Sequence, residues 1–473
     1  MSVLILHRNP FAAFPYRQWL DGLAPGLDAG TPYAGDIVVL AARDKVELAG
    51  EEVPGDAGHG FSHLEVFDTL DDAAVPARAL ALAEQYGVTH VVAHHEADVV
   101  LAASLRERLG LDGAWSADIT PFRDKLLMKQ LAVRAGIEVA PHAAPATAEQ
   151  VRDFAAEHDF PVVLKDRSGY NSIGLRIIAD KEELDLRLAQ AYGDGSREDL
   201  LVEAYVPGRM CHVDGLVVDG RTVAAWPSQY QYELASFGAD PGPRVDLTLD
   251  LDDPLTPRLL ALVEATLAAL KPAGSRLRTH AFHAEVFHTP DDRLVLCEIA
   301  GRSGGAKIRE VFETLFGIQL AVQVTRAEAG LPLPSVEGPT DEAGLLRPRC
   351  MSGQVLTMKR PGLVRSLPAV PADAWVRGFW LFAEEGQVIA PAAGSADFLT
   401  AAVGSAPTRV ECEARLRDLG DRVIAATVIE PRPEGAGAAP GGAGAAPGGA
   451  PPLPRGAAPA SHEEGAARPA DAS

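Results

Sequence analysis

The sequence predicts an α/β layer followed by an α+β body, and three observations carry that reading. Over residues 1–118, short apolar runs alternate with helix-length segments, the pattern of a parallel sheet under covering helices. From 119 onward many apolar runs are joined by short turns, so their strands pair as antiparallel hairpins. From Glu430 the chain is rich in Ala, Gly and Pro and lacks aromatics, so it cannot bury enough apolar area to offset its entropy. The expected organisation is an N-terminal α/β domain (1–118), a central domain (119–332) with a small subdomain at about 140–206, a C-terminal α+β extension (333–429) and a disordered tail (430–473).

The elements follow in order. "VLILH", "DIVVL" and "LEVFD" read as buried strands, "VPARALALAEQYGV" as a helix, "THVVAHH" as a strand and "EADVVLAASLRERLGL" as a second helix. His7 and Arg8 follow the first apolar run, whereas a signal peptide wants its positive charge before a longer one. No GxGxxG follows that strand, so a dinucleotide site is not indicated. No stretch approaches a membrane span, and the expectation is a cytoplasmic protein that does not bind membranes. "FRDKLLMKQLAVRAGI" is a helix that Asp124 caps and Gly136 ends. "AEQVRDFAAEHDF" is another helix, and "PVVLKDRSGYNSIGLRIIAD" reads strand, glycine-bearing loop, strand. After the helix "KEELDLRLAQAYG" and the strand "DLLVEAYV", "CHVDGLVVDGRTVAAWPS" is a hairpin turning at Asp219-Gly220. A helix at "PLTPRLLALVEATLAAL" precedes two strands, "AFHAEVFH" and "RLVLCEIAG", joined at 290–292. "GAKIREVFETLFGIQLAVQVTRAEAG" is mostly helix, and 345–429 holds short strands and one helix, "VECEARLRDLGDRV".

The 473 residues suffice for two to four domains. A net charge of -22 argues against a nucleic-acid protein, which normally shows a basic footprint. It leaves room for a nucleotide held in a locally basic pocket. The four cysteines, Cys211, Cys297, Cys350 and Cys412, are far apart with no CxxC, so neither a zinc site nor a disulfide framework is suggested.

Charge at the ends of apolar strands locates the chemistry. "LVLCEIAGRSGG" opens as a core strand and then carries Glu298, Arg302 and Gly304-Gly305. Side chains two apart share a strand face, which groups His283, Glu285 and Phe287 on one strand and Glu298, Ala300 and Arg302 on the next. A tight hairpin would bring Glu285 against Glu298, and two carboxylates that close repel unless a cation lies between them. Magnesium, which takes oxygen ligands and keeps waters and phosphates, suits such a pair, and Arg302 would then face phosphate oxygens. Rim carboxylates paired with Arg302 are the plainer alternative. Lys165 ends the apolar strand "PVVLK", a poor place for an unpaired ammonium, whereas Lys125, in the first turn of its helix, reads alone as a surface lysine. The loop holding Ser168, Gly169, Asn171, Ser172 and Gly174 can present N–H groups and hydroxyls to phosphates, though it is no Walker A loop. "LLVEAYVPG" offers Glu203, Tyr205 and Val206 as an edge for an adenine.

In order and spacing, "RDKLLMKQLAVRAGIEVAP", "PVVLKDRSGYNSIGL", "LLVEAYVPG…HVDG", "FHAEVF" and "CEIAGRSGG" resemble the ATP-grasp superfamily, specifically its carboxylate–amine ligases, across roughly 89–330. The resemblance implies an ATP-grasp fold: a Rossmann-like N-terminal domain, two α+β subdomains with ATP between them, and a small C-terminal extension. It implies that Lys125 and Lys165 contact the phosphates and that the loop bearing Ser168, Gly169, Ser172 and Gly174 closes over them. Glu203 and the backbone near Tyr205 and Val206 would read the adenine. Glu285 and Glu298 would hold Mg²⁺, with Mn²⁺ as a substitute. Arg302 would stabilise the transferring phosphoryl group, and His283 would point at the acyl phosphate or the incoming amine. The implied reaction joins a carboxylate, of an amino acid, to an amine through an acyl phosphate, releasing ADP and phosphate. Ligation of bicarbonate or a purine precursor, or a small-molecule kinase, are the alternatives. The implied partners are a small carboxylate and an amine, and homodimers are common among similar enzymes.

Two positions depart from the family: Ala300 stands where an Asn metal ligand is frequent, and Met210 where a ribose-binding Glu is frequent. "WPSQYQYELASFGADPGPR" is expected to form a loop over the acceptor site, offering Gln229, Tyr230, Tyr232 and Glu233. His94, His95 and Glu96 are expected at a sheet-edge turn, with Glu96 capping the next helix, or else as a metal cluster.

Overall fold

A computed structural model describes residues 1–24, 27, 32–48, 51–52, 59–193, 195–233 and 242–431. The tail expected to be disordered lies, from 432 on, outside the described residues, as does 234–241 of the expected acceptor loop.

The N-terminal apolar runs form a four-stranded parallel sheet, in the order His63–Phe67, Ile37–Ala42, Ser2–His7 and Val88–Ala93. Period-two alternation divides its two faces. Val3, Ile5, Ile37 and Val39 pack among Phe11, Phe14, Tyr16 and Trp19. Leu4, Leu6, Val38 and Leu40 pack with Val75, Ala79, Ala102 and Leu105 of the helices Val75–Gln85 and Val99–Leu109. The helix Leu320–Glu328 returns to this domain: Val322 joins the aromatic core and Arg326 donates to the Trp19 carbonyl at 2.7 Å.

A second four-stranded sheet, entirely antiparallel, runs His142–Ala143, Leu200–Ala204, Val162–Asp166, Arg176–Ile178. The amphipathic helices Ala148–His158 and Lys181–Tyr192 close its core through Val151, Phe154, Leu184 and Leu188. The body is an eight-stranded antiparallel sheet in the order Leu294–Ala300, His280–His288, Arg209–Val218, Arg221–Tyr230, Arg244–Thr248, Met351–Met358, Phe398–Ala406, Val376–Leu381. The hairpin turn falls at Asp219-Gly220, with φ of 49° and 80°, the left-handed pair a two-residue turn requires. Three strands of the expected C-terminal extension therefore continue the central sheet; a separate three-stranded sheet comes only from Val388–Ile389, Gly362–Ser366 and Val428–Glu430. The reason is edge pairing: Arg244–Thr248 leaves one side unpaired, and Met351–Met358 satisfies it with Arg244↔Leu356 to Leu247↔Gly353. Among the described residues no helix is long and apolar enough to cross a membrane.

Candidate active site

Three lysines meet between the second sheet and the body. Asp124 caps the helix Lys125–Arg134, accepting from the N–H groups of Leu126 and Leu127 at 2.9 and 3.2 Å. Lys125 and Lys129, one turn apart, therefore share a face. Lys125 Nζ donates to the Gly169 carbonyl at 2.6 Å and lies 3.3 Å from Glu298. Lys129, fully buried, lies 3.1 Å from Glu203 and donates to the Cys297 carbonyl at 3.1 Å. Lys165 lies 2.9 Å from the other oxygen of Glu203. Burial alone would push the Glu203 carboxyl up, but the two ammonium groups outweigh it and hold the group below its usual range. Burial likewise opposes the Lys165 charge, and Glu203 overcomes it.

These groups floor a cavity of about 440 Å³. Its walls are apolar where Val163, Ile177, Met210, Phe287 and Leu296 face it, and Tyr205 and Val206 line its strand-end edge. Gly169 and Ser172 border it from the loop, where Asn171 and Ser172 take positive φ of 54° and 56°. Two successive non-glycine residues in that region carry a local backbone cost, a kind of strain concentrated at ligand clamps.

Glu285 and Glu298 are direct cross-strand partners, and both line the cavity. Like charges in that register destabilise a sheet. Here Lys125 stands against Glu298, holding its carboxyl down at about 2 against the opposing effect of burial, and His283 lies 3.6 Å from Glu285. Behind them runs a buried chain. Asp214 bridges His283 at 2.9 Å and His212 at 2.5 Å; His212 reaches Asp246 at 3.0 Å; Gln354 donates to Asp246 at 2.9 Å. Burial favours neutral imidazoles, but the carboxylates outweigh it, pushing His212 up to about 10 and His283 up to about 9. His212, Asp214 and His283 are close enough to hold a metal ion, yet as a protonated chain their hydrogen bonds are already satisfied.

Arg302 closes the far side. It donates to the Ser303 carbonyl at 2.6 Å and ion-pairs with Glu96, which also binds Arg123; Arg123 in turn donates to the Ser168 carbonyl at 2.6 Å. Arg302 lines a second cavity, of about 390 Å³, together with His94, Glu96, Arg309, Lys359 and Phe382. Tyr170, Asn171 and Ile173 face both cavities, so one loop forms their partition.

Residues 124–221 match the family model described as the carbamoyl-phosphate synthase L chain, ATP binding domain. The L-amino acid ligase of Bacillus licheniformis superposes on 92% of this chain and 99% of its own, with a TM-score of 0.66 at 15% identity. This chain has the ATP-grasp fold. The L-arginine-specific L-amino acid ligase of Bacillus subtilis is 23% identical over 267 residues, 55% of this chain and 63% of that protein. Carnosine synthase 1 of Gallus gallus is 28% identical over 248 residues, 48% of this chain and 25% of that protein. The chain thus spans less than two thirds of these curated relatives.

Within this ATP-grasp frame, Lys125, Lys165, Gly169, Ser172, Glu203, Tyr205, Val206, Glu285 and Glu298 come together on one cavity. Several expectations need correction. His283 lines neither cavity: the Asp214 carboxylate draws it into the sheet interior, where it backs Glu285. The Glu203 side chain is taken by two lysines and is not free to meet a base. Ser168 and Gly174 lie off the first cavity; Ser168 turns its carbonyl to Arg123, and a Cβ on Gly174 would sit 3.0 Å from Asp166. Arg302 stands on the second cavity, across the shared loop from the first. Glu96 does not cap the following helix, because Asp98 occupies the cap position while Arg123 and Arg302 claim Glu96. The expected acceptor loop is strand through Tyr230; Gln229 is buried against Arg409, while Tyr230, Tyr232 and Glu233 face the first cavity.

Reading the sequence missed Lys129, Arg123 and the chain from His212 to Asp246. Lys129 was signalled by its spacing of four from Lys125, and His212 and Asp214 by two polar residues alternating inside the apolar strand "CHVDGLVV". Nothing local marks Arg123 or Asp246, whose partners are 27 and 34 residues away.

Proposed function

We propose that this ATP-grasp protein activates a carboxylate, that of an amino acid, as an acyl phosphate and joins it to an amine. The observation that carries this reading is the pair of cavities sharing one loop. Arg302, on the second, lies within electrostatic reach of Glu285 and Glu298, on the first. A kinase or ligase needs such an arrangement to pass a phosphoryl group from a nucleotide to a neighbouring molecule. The names of the relatives, amino acid ligase and carnosine synthase, favour ligation.

A carboxylate is a poor electrophile because oxide would have to leave. Attack by its oxygen on the γ-phosphorus, with the bond to the β-phosphate oxygen breaking, yields ADP and an acyl phosphate. The amine nitrogen then attacks the acyl carbon, loses a proton, and orthophosphate departs with the C–O bond pair. Lys125 and Lys165 would neutralise the phosphates, and Arg302 the acyl phosphate. The partition loop would keep water from that intermediate. Glu285 and Glu298 fit Mg²⁺, or Mn²⁺ by the same oxygen chemistry: two carboxylates in a repulsive register facing a cavity are a ready oxygen pair. When bound, the ion supplies charge neutralisation at the phosphate oxygens. Ala300, between Glu298 and Arg302, adds no ligand.

The test is incubation with ATP, Mg²⁺ and pooled amino acids, following nucleotides by chromatography and products by mass. ADP with orthophosphate, and a product equal to two substrates less water, is expected. A phosphorylated product formed without amine would make it a kinase, and AMP with pyrophosphate would overturn the acyl phosphate.

A further inference from the structure

The buried chain that starts behind Glu285 ends at the wall of the second cavity. From His283 it runs through Asp214, His212 and Asp246 to Gln354. The Gln354 amide nitrogen donates to Asp246 at 2.9 Å, and its carbonyl oxygen accepts the Lys307 N–H at 2.9 Å. Lys307 is the cap residue of the helix Ile308–Phe316, and the turn before it, from Ser303 to Ala306, lines the second cavity. The five side chains are each at most 8% exposed, so a bond lost among them is not replaced by one to water.

The turn is held at two points. Ala306 has φ of 49°, a conformation that costs a residue with a Cβ and persists only where the surroundings fix it, and the next N–H is the one Gln354 accepts. Gly304 lies directly on the chain: a Cβ there would stand 2.8 Å from Asp214 Oδ1 and 2.8 Å from the Ile308 side chain. The carboxylate that holds His283 therefore also sets how closely the turn approaches the sheet. The chain follows the sheet register, with His283 opposite Asp214 and Asp246 opposite Gln354, yet the backbones pair these strands without it. Buried ionic groups are weak evidence of stability, since packed apolar side chains of the same volume serve a sheet as well. Their placement between the two cavities is what distinguishes them.

We propose that this chain is a positioning device, in which His212, Asp246 and Gln354 hold the turn at 303–307 in register with Glu285. This rests on the ligation reading above and deepens it. Glu285 belongs to the cavity that would hold the nucleotide, and the turn to the wall of the cavity that would hold the carboxylate. An oxygen from the second reaches the γ-phosphorus in the first only if the two walls keep a fixed separation. The sheet supplies the rigid base, and the chain ties the turn to it. None of the three touches the reacting groups: they act through His283, which backs Glu285, and through the Lys307 N–H.

The experiment compares the wild-type protein with Gln354→Met, which keeps the volume and removes both hydrogen bonds. It adds Asp246→Asn and Gln354→Glu, singly and together. In the double variant Asn donates and Glu accepts, so the bond is rebuilt with its polarity reversed and the Lys307 N–H keeps an acceptor. Each protein is assayed for ADP and amide, and for hydrogen exchange of the segment 303–309 by mass spectrometry, with and without a non-hydrolysable ATP analogue and Mg²⁺. In Gln354→Met, kcat should fall roughly 10- to 100-fold with the KM for ATP unchanged, the effect of a misplacement of about 1 Å. Exchange at 303–309 should quicken up to about tenfold, and not across the whole chain. The analogue and Mg²⁺ should slow exchange at 303–309 in the wild type and not in Gln354→Met. The double variant should regain most of the rate and the protection that its single members lose. If Gln354→Met does not fold, Gln354→Asn, which keeps the polarity and shortens the reach, replaces it with the same expectations. Unchanged exchange at 303–309, faster exchange throughout together with a higher KM for ATP, or a double variant no better than its singles overturns the positioning role. Absence of ADP release from the wild type sinks the ligation reading, and the exchange measurements then decide the chain by themselves. Normal ADP and amide formation by Gln354→Met keeps the ligation reading and overturns the positioning role.

Discussion

Replacing Glu203 with Gln tests the charge balance of the lysine floor. Glu203 is 4% exposed and its two oxygens lie 3.1 and 2.9 Å from Lys129 and Lys165, which are 0% and 6% exposed. Gln fills the same volume and removes only the charge, leaving two ammonium groups in a dry setting. Breaking a buried pair from one side costs about 3–5 kcal/mol. At about 2 °C per kcal/mol for a large chain, the melting temperature should fall by ~6–10 °C. A polyphosphate should then replace the missing anion. If it binds the variant tenfold more tightly at equal excess, the nucleotide adds about 1.4 kcal/mol more stability than in the wild type, or ~3 °C. The assay is thermal denaturation with and without a non-hydrolysable ATP analogue and Mg²⁺. A variant that melts within about 2 °C of wild type, or gains no more from nucleotide than wild type does, would refute the idea that these lysines form the phosphate floor.

Three further outcomes are expected. Glu298→Ala should cut ADP release at least ~100-fold and raise the Mg²⁺ needed for half-maximal rate, since even outer partners of a metal cost 10–100-fold; a magnesium titration that overlays wild type would count against a metal there. Burial pushes His7 down to about 3 and His280 down to about 4. Below pH 6.5 the unfolded chain takes up these protons and the folded chain does not, so each histidine removes about 1.4 kcal/mol of stability per pH unit as pH falls toward its folded value. Urea denaturation between pH 7 and 5 should show this loss, and in His7→Gln the slope should be shallower by about one proton. Gly208 has φ of 154° and a Cβ there would lie 2.5 Å from the His288 carbonyl, so Gly208→Ala should lose about 1–3 kcal/mol in the same assay.

Much of the molecule was legible because its signals are local. Period-two alternation in "VLILH" and "DIVVL" specifies strands whose faces pack on different layers, Asp124 caps a helix that Gly136 ends, and Asp219-Gly220 turns a hairpin. The carboxylates were legible for the same reason: a turn at 290–292 and a two-residue period suffice to place Glu285 beside Glu298. Lys165 stood out as a charge ending an apolar strand, but its pairing with Glu203, read from the sequence only as part of an adenine edge, belongs to two strands meeting across the second sheet.

What the sequence alone determined was therefore the order of elements, the fold and the set of charges that must find partners. Only the tertiary structure decided which partners they find. Burial makes an unpaired charge costly, and the nearest opposite charge in space is set by packing between segments far apart in the chain. Glu96 was available to cap its own helix, but Arg123 and Arg302 converge on it from 27 and 206 residues away. His283 was expected at the reacting groups and is instead held by Asp214, 69 residues distant.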